Sequence, residues 1–243
     1  MKNNLNSIVF GIAIVIAASV LGYAILNRNN EEGIISVKGL GKTDFTSDLI
    51  AWEGDFTKNN YILKQAYADL EQDKKIVTKY LIDKGINAKL LVFSSVSTQQ
   101  QSKRIYSESG DYMGEEFSGY TLRQTVSINS KDVDLVEKVS REITELLNKG
   151  VQFYSQPPRY FYTQLADLKI EMISKATENA RIRAEQIATN AKSGLGKLIE
   201  AKMGIFQITG QLSDEDYSWG GAYNTSSRDK TASITMKLTY TVD

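Results

Sequence analysis

The sequence predicts an α+β protein, a mainly antiparallel sheet with long helices packed on one face. Residues 120–129 and 231–242 alternate apolar and polar side chains, as half-buried antiparallel strands do. Residues 165–193 carry the longest helical pattern of the chain. The elements follow the order β-β-α-β-β-α-β-α-β-β, in which two strands after a long helix indicate a possible duplicated β-α-β-β unit.

The other elements are predicted from periodicity and from the positions of glycine and proline. We predict strands at residues 33–39, 49–58, 89–98, 151–163 and 198–208, a turn at residues 39–41, and helices at residues 60–84 and 132–148. Asn59 or Asn60 is the predicted cap of the helix that Gly85 ends, and Ser130 or Asp132 is predicted to start the next helix. Pro157 and Pro158 exclude a central strand, so they predict a bulge or a sheet edge.

The segments 99–119 and 211–230 are longer than ordinary connections and are predicted to reach toward other molecules. Residues 99–119 are either a long hairpin loop or two extended arms around a turn near residues 109–111. An α+β sheet with helices on one side leaves edges and a face to protect. We therefore expect the chain to form a homo-oligomer.

Composition excludes several functions. The chain of 243 residues has no cysteine and no histidine. It can therefore form no disulfide, no Ser-His-Asp triad and no histidine-ligated zinc site. Lys plus Arg and Asp plus Glu number 29 each. This balance gives no electrostatic reason to bind nucleic acid, and no nucleic-acid partner is expected.

The N-terminal segment predicts a membrane anchor. Residues 8–26 are an uncharged, largely apolar run of 19 residues, long enough to cross a bilayer as a helix. A cleavable signal peptide has a shorter apolar centre, although residues 22–24 could serve as its cleavage site. We therefore divide the chain into an anchor or signal segment with its linker, residues 1–32, and a domain, residues 33–243.

The long helix carries a row of small residues. Ala176, Ala180, Ala184 and Ala188 recur every four positions and so share one helix face. Alanine is the best helix former, which is the simpler reading. We favour close packing against a neighbouring element, because the other positions are too polar to bury the helix. Arg181 is placed to pair with a glutamate one turn away.

The helix and the turn after it resemble the SIMPL domain family. The resemblance rests on Asn179-Ala180-Arg181, on Arg183-Ala184-Glu185-Gln186-Ile187-Ala188, and on Gly194, Gly196 and Lys197, and it covers residues 33–243. The turn is predicted to place a left-handed glycine cap at the end of the helix. The motif and possible interface residues are Asn179, Ala180, Arg181, Arg183, Ala184, Ala188, Gly194 and Gly196.

The resemblance implies a bacterial cell-envelope protein. The family includes a periplasmic protein that assembles into rings and a protein linked to oxidative-stress tolerance. It has no established catalytic residues, so none is expected here. Together with the apolar run at residues 8–26, the resemblance implies a single-pass inner-membrane protein whose soluble domain lies on the periplasmic side. Secretion to the periplasm after signal cleavage is the alternative.

A second candidate site is the predicted loop at residues 211–230. Its acidic and aromatic side chains could hold a cation or stack on a glycan or peptide. They are Asp214, Asp216, Tyr217, Trp219 and Tyr223. A mobile connection is the simpler interpretation, because no calcium-loop spacing is present. No metal, cofactor or catalytic residue is predicted.

These observations lead to three functional hypotheses. The first is a non-enzymatic, membrane-tethered protein with a structural or interaction role in the envelope. The second is a ligand-binding module that uses the aromatic loop. The third, an enzyme, is the weakest, because the sequence identifies no catalytic constellation.

Overall fold

A computed structural model describes residues 2–28, 33–216 and 218–242. In these ranges the chain is α+β with antiparallel sheets, as predicted. The helices are α1 (Lys2–Arg28), α2 (Leu63–Asp83), α3 (Val133–Glu142) and α4 (Leu165–Asn190). The strands are β1 (Ile34–Thr46), β2 (Leu49–Asn60), β3 (Val92–Phe93), β4 (Ser97–Tyr106), β5 (Tyr112–Ser130), β6 (Phe153–Ser155), β7 (Arg159–Phe161), β8 (Leu195–Met203), β9 (Gln207–Gly210) and β10 (Asp229–Val242).

The apolar N-terminal run is helical. It forms most of α1, and side chains such as Val9, Phe10 and Leu21 are exposed. Within the described ranges, no helix meets both the length and the hydropathy that a bilayer crossing requires. The membrane anchor at residues 8–26 therefore stays a prediction.

One sheet has the strand order β3-β5-β2-β6, with β4 also paired to β5 and β7 also paired to β2. Alternation along β2 buries Ile50, Trp52 and Phe56 on one face, and β5 adds further apolar side chains to that face. Helices α2 and α3 pack there. The opposite face of β2 carries polar residues such as Glu53 and Asp55. The helices of this sheet thus lie on one side, as predicted.

The ends of α2 and α3 show which capping predictions hold. Asp132 caps α3, because its side chain accepts a hydrogen bond from the backbone N–H of Leu135 at 3.1 Å. Gly85 follows α2 with a φ of +99°, which suits glycine. The predicted cap at Asn59 or Asn60 is wrong, because both residues belong to β2 and α2 begins later.

Residues 97–119 form two antiparallel strands, which settles the two alternatives for this segment in favour of extended arms. The turn lies at residues 107–111, where the N–H of Ser107 donates to the carbonyl of Asp111 at 2.8 Å. The predicted strand at 89–98 is largely wrong. Within that span only β3 and the first two residues of β4 pair with β5. Between them the hydroxyl of Ser94 accepts a hydrogen bond from the N–H of Thr125 at 3.0 Å.

A second sheet has the order β1-β10-β8, and β9 also pairs with β10. The predicted turn at residues 39–41 is wrong, because β1 runs straight through it. The predicted strand at 198–208 is split into β8 and β9. At the split, a Cβ on Gly204 would lie 2.3 Å from the Oγ1 of Thr235, so the chain approaches β10 where only glycine fits.

The proline pair behaves as predicted. Pro157 and Pro158 separate β6 from β7, and both short strands pair with the same outer side of β2. The prolines therefore occupy an interruption of an edge and not a ladder position.

The chain divides into two compact units. The first contains Met1–Gly41, Ile173–Gly204 and Ile234–Asp243, and the second contains Lys42–Met172 and Ile205–Ser233. Strands β1 and β10 and helix α4 contribute residues to both. The domain boundaries at residues 1–32 and 33–243 and the duplicated β-α-β-β unit stay predictions.

Candidate functional site

The alanine row of α4 is a close-packed contact. Ala176, Ala180 and Ala184 are fully buried and Ala188 nearly so. Opposite them, a Cβ on Gly39 of β1 would lie 2.1 Å from the carbonyl oxygen of Ala176 and 2.4 Å from the backbone nitrogen of Ala180. Helix and strand therefore meet backbone to backbone, and the predicted close packing is confirmed.

Two motif side chains bind the backbone of β1 on either side of that glycine. The Oδ1 of Asn179 accepts from the N–H of Leu40 at 3.1 Å. The Nη1 of Arg183 donates to the carbonyl of Lys38 at 3.1 Å. β1 is an outer strand of its sheet, so these side chains take backbone groups of a strand that has one strand neighbour. Asn179 and Arg183 thus hold the strand to the helix.

Arg181 lies on the exposed surface of α4. Its guanidinium bonds the carboxylates of Glu178, at 2.9 Å, and Glu185. The guanidinium holds the pKa of Glu178 below its ordinary value. The predicted pairing with Glu185 is confirmed. Such exposed pairs contribute little to stability.

The predicted glycine cap after α4 is wrong. The helix ends at Asn190, and the residue with a left-handed backbone is Lys192, at a φ of 59°. The N–H of Ser193 then donates to the carbonyl of Ala188 at 2.9 Å and closes the helix. Gly196 lies in β8, and Gly194 precedes that strand. The glycines therefore begin a strand and do not cap the helix.

The second candidate site is the loop between β9 and β10, residues 211–228. Buried Gln207 supports its middle: its Oε1 accepts from the N–H of Ala222 at 2.6 Å, and its Nε2 donates to the carbonyl of Ser218 at 2.8 Å. Asn224, also buried, donates to the carboxylate of Glu215 and accepts from the N–H of Ser227 at 2.8 Å. The loop has an ordered polar framework.

The predicted ligand residues lie on the outside of this framework. Asp214 and Asp216 are exposed, Trp219 is 96% exposed and Tyr223 is 48% exposed. Tyr217 lies outside the described residues. In the described part of the chain no group of His, Cys, Asp or Glu side chains is placed to hold a metal ion. The loop therefore offers an exposed indole beside carboxylates.

Lys230 is a buried cation at the base of the loop. It is 1% exposed, and its Nζ donates to the carbonyls of Tyr160 at 3.1 Å and Ser227 at 2.5 Å. Burial lowers the pKa of Lys230 to about 8, and the charge of Glu215 opposes that shift. The ammonium thus joins β7 to the end of the loop.

Sequence reasoning missed Gln207, Asn224 and Lys230. A signal existed for Lys230, which lies two positions before Ala232 and so shares the inward face of β10 with Ala232 and Ile234. No local signal marks Gln207 or Asn224, because their partners lie up to 15 positions away.

A different cluster of shifted groups lies between α2 and the segment after α3. Lys84 contacts the carboxylates of Glu142 at 2.9 Å and Glu145 at 3.0 Å, and the hydroxyl of Tyr80 donates to Glu145 at 3.1 Å. These contacts lower the pKa of Glu145, while burial raises that of Tyr80. All four groups are committed to one another, which is the pattern of a structural ion pair and not of a nucleophile beside a free base.

The third feature is the arm, residues 97–119, formed by β4 and the first half of β5. Nearly all of β4 is exposed on both faces, and among the strands of the described residues β4 pairs only with β5. Its end carries apolar side chains that are 41–68% exposed, namely Ile105, Tyr106, Tyr112 and Met113. The rings of Tyr106 and Tyr112 meet edge to face with centroids 6.0 Å apart. The arm is therefore a two-stranded ribbon with an apolar end.

Comparison with known protein families gives one match. The model of a family described as "SIMPL: Protein of unknown function (DUF541)" matches residues 35–243. No curated protein matches the chain.

Proposed function

The chain belongs to the SIMPL family, and from that premise we propose that it is a membrane-tethered, extracytoplasmic protein that acts by self-association and not by catalysis. The proposal has three parts, a tether, an assembly element and a non-enzymatic role, and each rests on different residues.

The tether is residues 8–26. The uncharged run is long enough for a bilayer helix, and it lies in α1 with its apolar side chains exposed. The family resemblance supports an address outside the cytoplasm. Mass spectrometry of the mature N-terminus tests this part. An intact N-terminus in the membrane fraction is expected, whereas a chain that starts near Ile25 in the soluble periplasmic fraction would contradict the tether.

The assembly element is the arm, and its apolar end is the observation that carries the proposal. A two-stranded ribbon exposed on both faces is marginal in water by itself. Aromatic and methionine side chains are enriched at the centres of protein interfaces. A second copy of the chain would cover Tyr112 and Met113 and stabilise the ribbon. A tether on every copy would raise the local concentration and favour the contact.

Light-scattering-coupled chromatography of the full chain in detergent tests the assembly. We expect a protein mass above that of one 27.1 kDa chain, and the double variant Tyr112→Ser, Met113→Ser should return it to one chain. Ile170→Ser, which changes a side chain that is 69% exposed on α4, is the matched control and should leave the mass unchanged. A wild-type mass of one chain, over micromolar to high-micromolar concentrations, would contradict self-association.

The absence of cysteine permits a second, independent readout. Met113→Cys introduces a single thiol, so a cross-linked dimer under mild oxidation reports proximity of two arm ends. The same substitution at Ile170 is the control. The arm-end variant should cross-link much faster than the control if arms meet in the assembly.

A second candidate function is ligand binding by loop 211–228. Trp219 favours it, because a 96% exposed indole on a loop with an ordered polar framework offers a stacking surface for a peptide or glycan. Quenching of tryptophan fluorescence by envelope peptides and glycans, compared between wild type and Trp219→Ala, tests it. Trp52 is 1% exposed and supplies the unresponsive background in both proteins.

A further inference from the structure

A polar pocket lies at the root of the arm, where the end of β2 meets β4 and β5. It is a cavity of about 500 Å³ lined by Asn59, Asn60, Tyr61, Gln101, Ser118, Tyr120 and Thr121. That volume is within the range of small-molecule sites. The pocket shares no lining residue with loop 211–228 or with the apolar end of the arm.

The backbone builds the pocket at an irregular point of the ladder. Gln101 pairs with Gly119, and the register shifts immediately after Gln101. Such a bulge re-aims side chains. Gly119 has a φ of +125°, and a Cβ there would lie 3.0 Å from the carbonyl oxygen of Asn60. Glycine thus lets β5 approach β2 closely while the side chains around it line an open cavity.

Internal contacts fix part of the lining. The hydroxyl of Thr121 donates to the Oδ1 of Asn59 at 2.6 Å, and the hydroxyl of Tyr61 donates to the carbonyl of Phe117 at 2.8 Å. The ring of Phe117 also meets the rings of Tyr61 and Tyr120 edge to face, with centroids 5.2 and 5.1 Å apart. The two tyrosines are therefore positioned before any ligand arrives.

Other polar groups of the lining stay free of partners within the described residues. No hydrogen bond there uses the amide of Gln101, the hydroxyl of Ser118, the hydroxyl of Tyr120 or the Nδ2 of Asn59. Amides and hydroxyls both donate and accept, so they suit a ligand that does the same. Water can bond these groups in the free protein, so a ligand that displaces the water without replacing its hydrogen bonds loses affinity.

The lining also carries no charged side chain. An anion would find no arginine or lysine among the lining residues, and a cationic ligand would find no carboxylate there. An apolar ligand is disfavoured by the amides. We propose that this pocket binds a neutral saccharide, whose hydroxyls bond the amides of Gln101 and Asn59 while a sugar ring lies against Tyr61 or Tyr120.

Isothermal titration calorimetry of the full chain tests this, in a detergent without a sugar headgroup so that the detergent does not compete. The probes are maltose, cellobiose and N,N′-diacetylchitobiose, all neutral, and the de-N-acetylated form of the last, which carries ammonium groups. We expect at least one neutral disaccharide to bind and the charged form to bind at least tenfold more weakly.

Variants locate the binding. Gln101→Ala should weaken binding of the neutral disaccharide at least tenfold. Ser118→Phe, which places a bulky ring among the lining residues and leaves the amides of Gln101 and Asn59 in the sequence, should do the same. Gln99→Ala is the matched control, because Gln99 lies on the same strand and is not part of the lining. Unchanged thermal melting would show that each variant is folded.

Three outcomes would overturn the proposal. They are no binding of any of the neutral disaccharides, equal binding of the charged form, and equal loss in Gln99→Ala and Gln101→Ala. Loss of binding in Trp219→Ala instead would assign the saccharide to loop 211–228.

Discussion

Two regions of the molecule are held in place by opposite means. One is the contact between β1 and α4, and the other is the loop at residues 211–228. At Gly39 the backbones of β1 and α4 are in contact, and the alanines of the row contribute only methyl groups. In the loop, buried Gln207, Asn224 and Lys230 hold the chain through hydrogen bonds to backbone groups.

The difference determines how each region tolerates change. A backbone-to-backbone contact contains no empty space, so any added atom would clash with an existing one. A framework of buried polar groups is less tightly packed, but each group needs its hydrogen-bond partner, because a buried polar group without a partner costs free energy. A larger side chain should therefore destabilise the contact between β1 and α4. Removal of a hydrogen-bonding side chain should destabilise the loop.

Gly39→Ala should have the largest effect. Its Cβ would lie 2.1 Å from a backbone oxygen that cannot rotate away. We expect the free energy of unfolding to fall by more than about 3 kcal/mol, measured by chemical denaturation followed by circular dichroism. Gly33→Ala is the control, because its Cβ would lie at an ordinary 3.6 Å from Val242. Equal stability of the two variants would refute the backbone contact.

Ala184→Leu should have the next largest effect. Ala184 is fully buried, and the added carbons overpack the row at a cost of about 1–3 kcal/mol. Ala166→Leu makes the same change at an exposed position of the same helix and should be nearly neutral. An unchanged denaturation midpoint for Ala184→Leu would mean that this face of α4 is free.

Asn224→Ala deletes a partner in the loop. The N–H of Ser227 loses its acceptor and Glu215 loses a donor, so we expect a local cost of about 1–2 kcal/mol. Hydrogen exchange should speed up in residues 210–227 and remain unchanged in α2. Asp216→Ala, at an exposed position of the same loop, is the control, and equal acceleration in both variants would remove the special role of Asn224.

The pH dependence that Lys230 adds to stability should be the smallest of these effects. Its pKa of about 8 in the folded chain lies below the ordinary value of 10.5. Between these values the unfolded chain binds more protons than the folded chain, so stability rises with pH. Relative to Lys230→Met, the wild type should gain about 1 kcal/mol from about pH 8 to about pH 9. Parallel stability curves would mean that the pKa is ordinary.

The sequence predicted the two regions to different extents, for a physical reason. A helix that packs through one face repeats a residue type every turn, so the alanine row was readable from spacing alone. At its partner Gly39 the sequence predicts a turn, because a glycine that permits close approach looks the same in sequence as one that permits a bend.

For the loop, only the composition of the sequence carries a prediction. Its framework joins residues far apart in the chain, such as Gln207 with Ala222 and Lys230 with Tyr160, and no period marks such pairs. The sequence therefore pointed to the exposed Asp214 and Trp219 and missed the buried groups that order them. Continuing the alternation of β10 one step toward its start would have placed Lys230 inside.

The hydrogen bonds from Asn179 and Arg183 to β1 also bear on how the chain avoids aggregation. An outer strand with unpaired N–H and C=O groups is a template onto which a foreign strand can add, and such growth is hard to reverse. Two of those groups, the carbonyl of Lys38 and the N–H of Leu40, are already bonded to side chains of the chain's own helix. The motif that holds the helix to the sheet thus also makes this stretch of the edge a poorer template for a foreign strand than an edge whose backbone groups are all free.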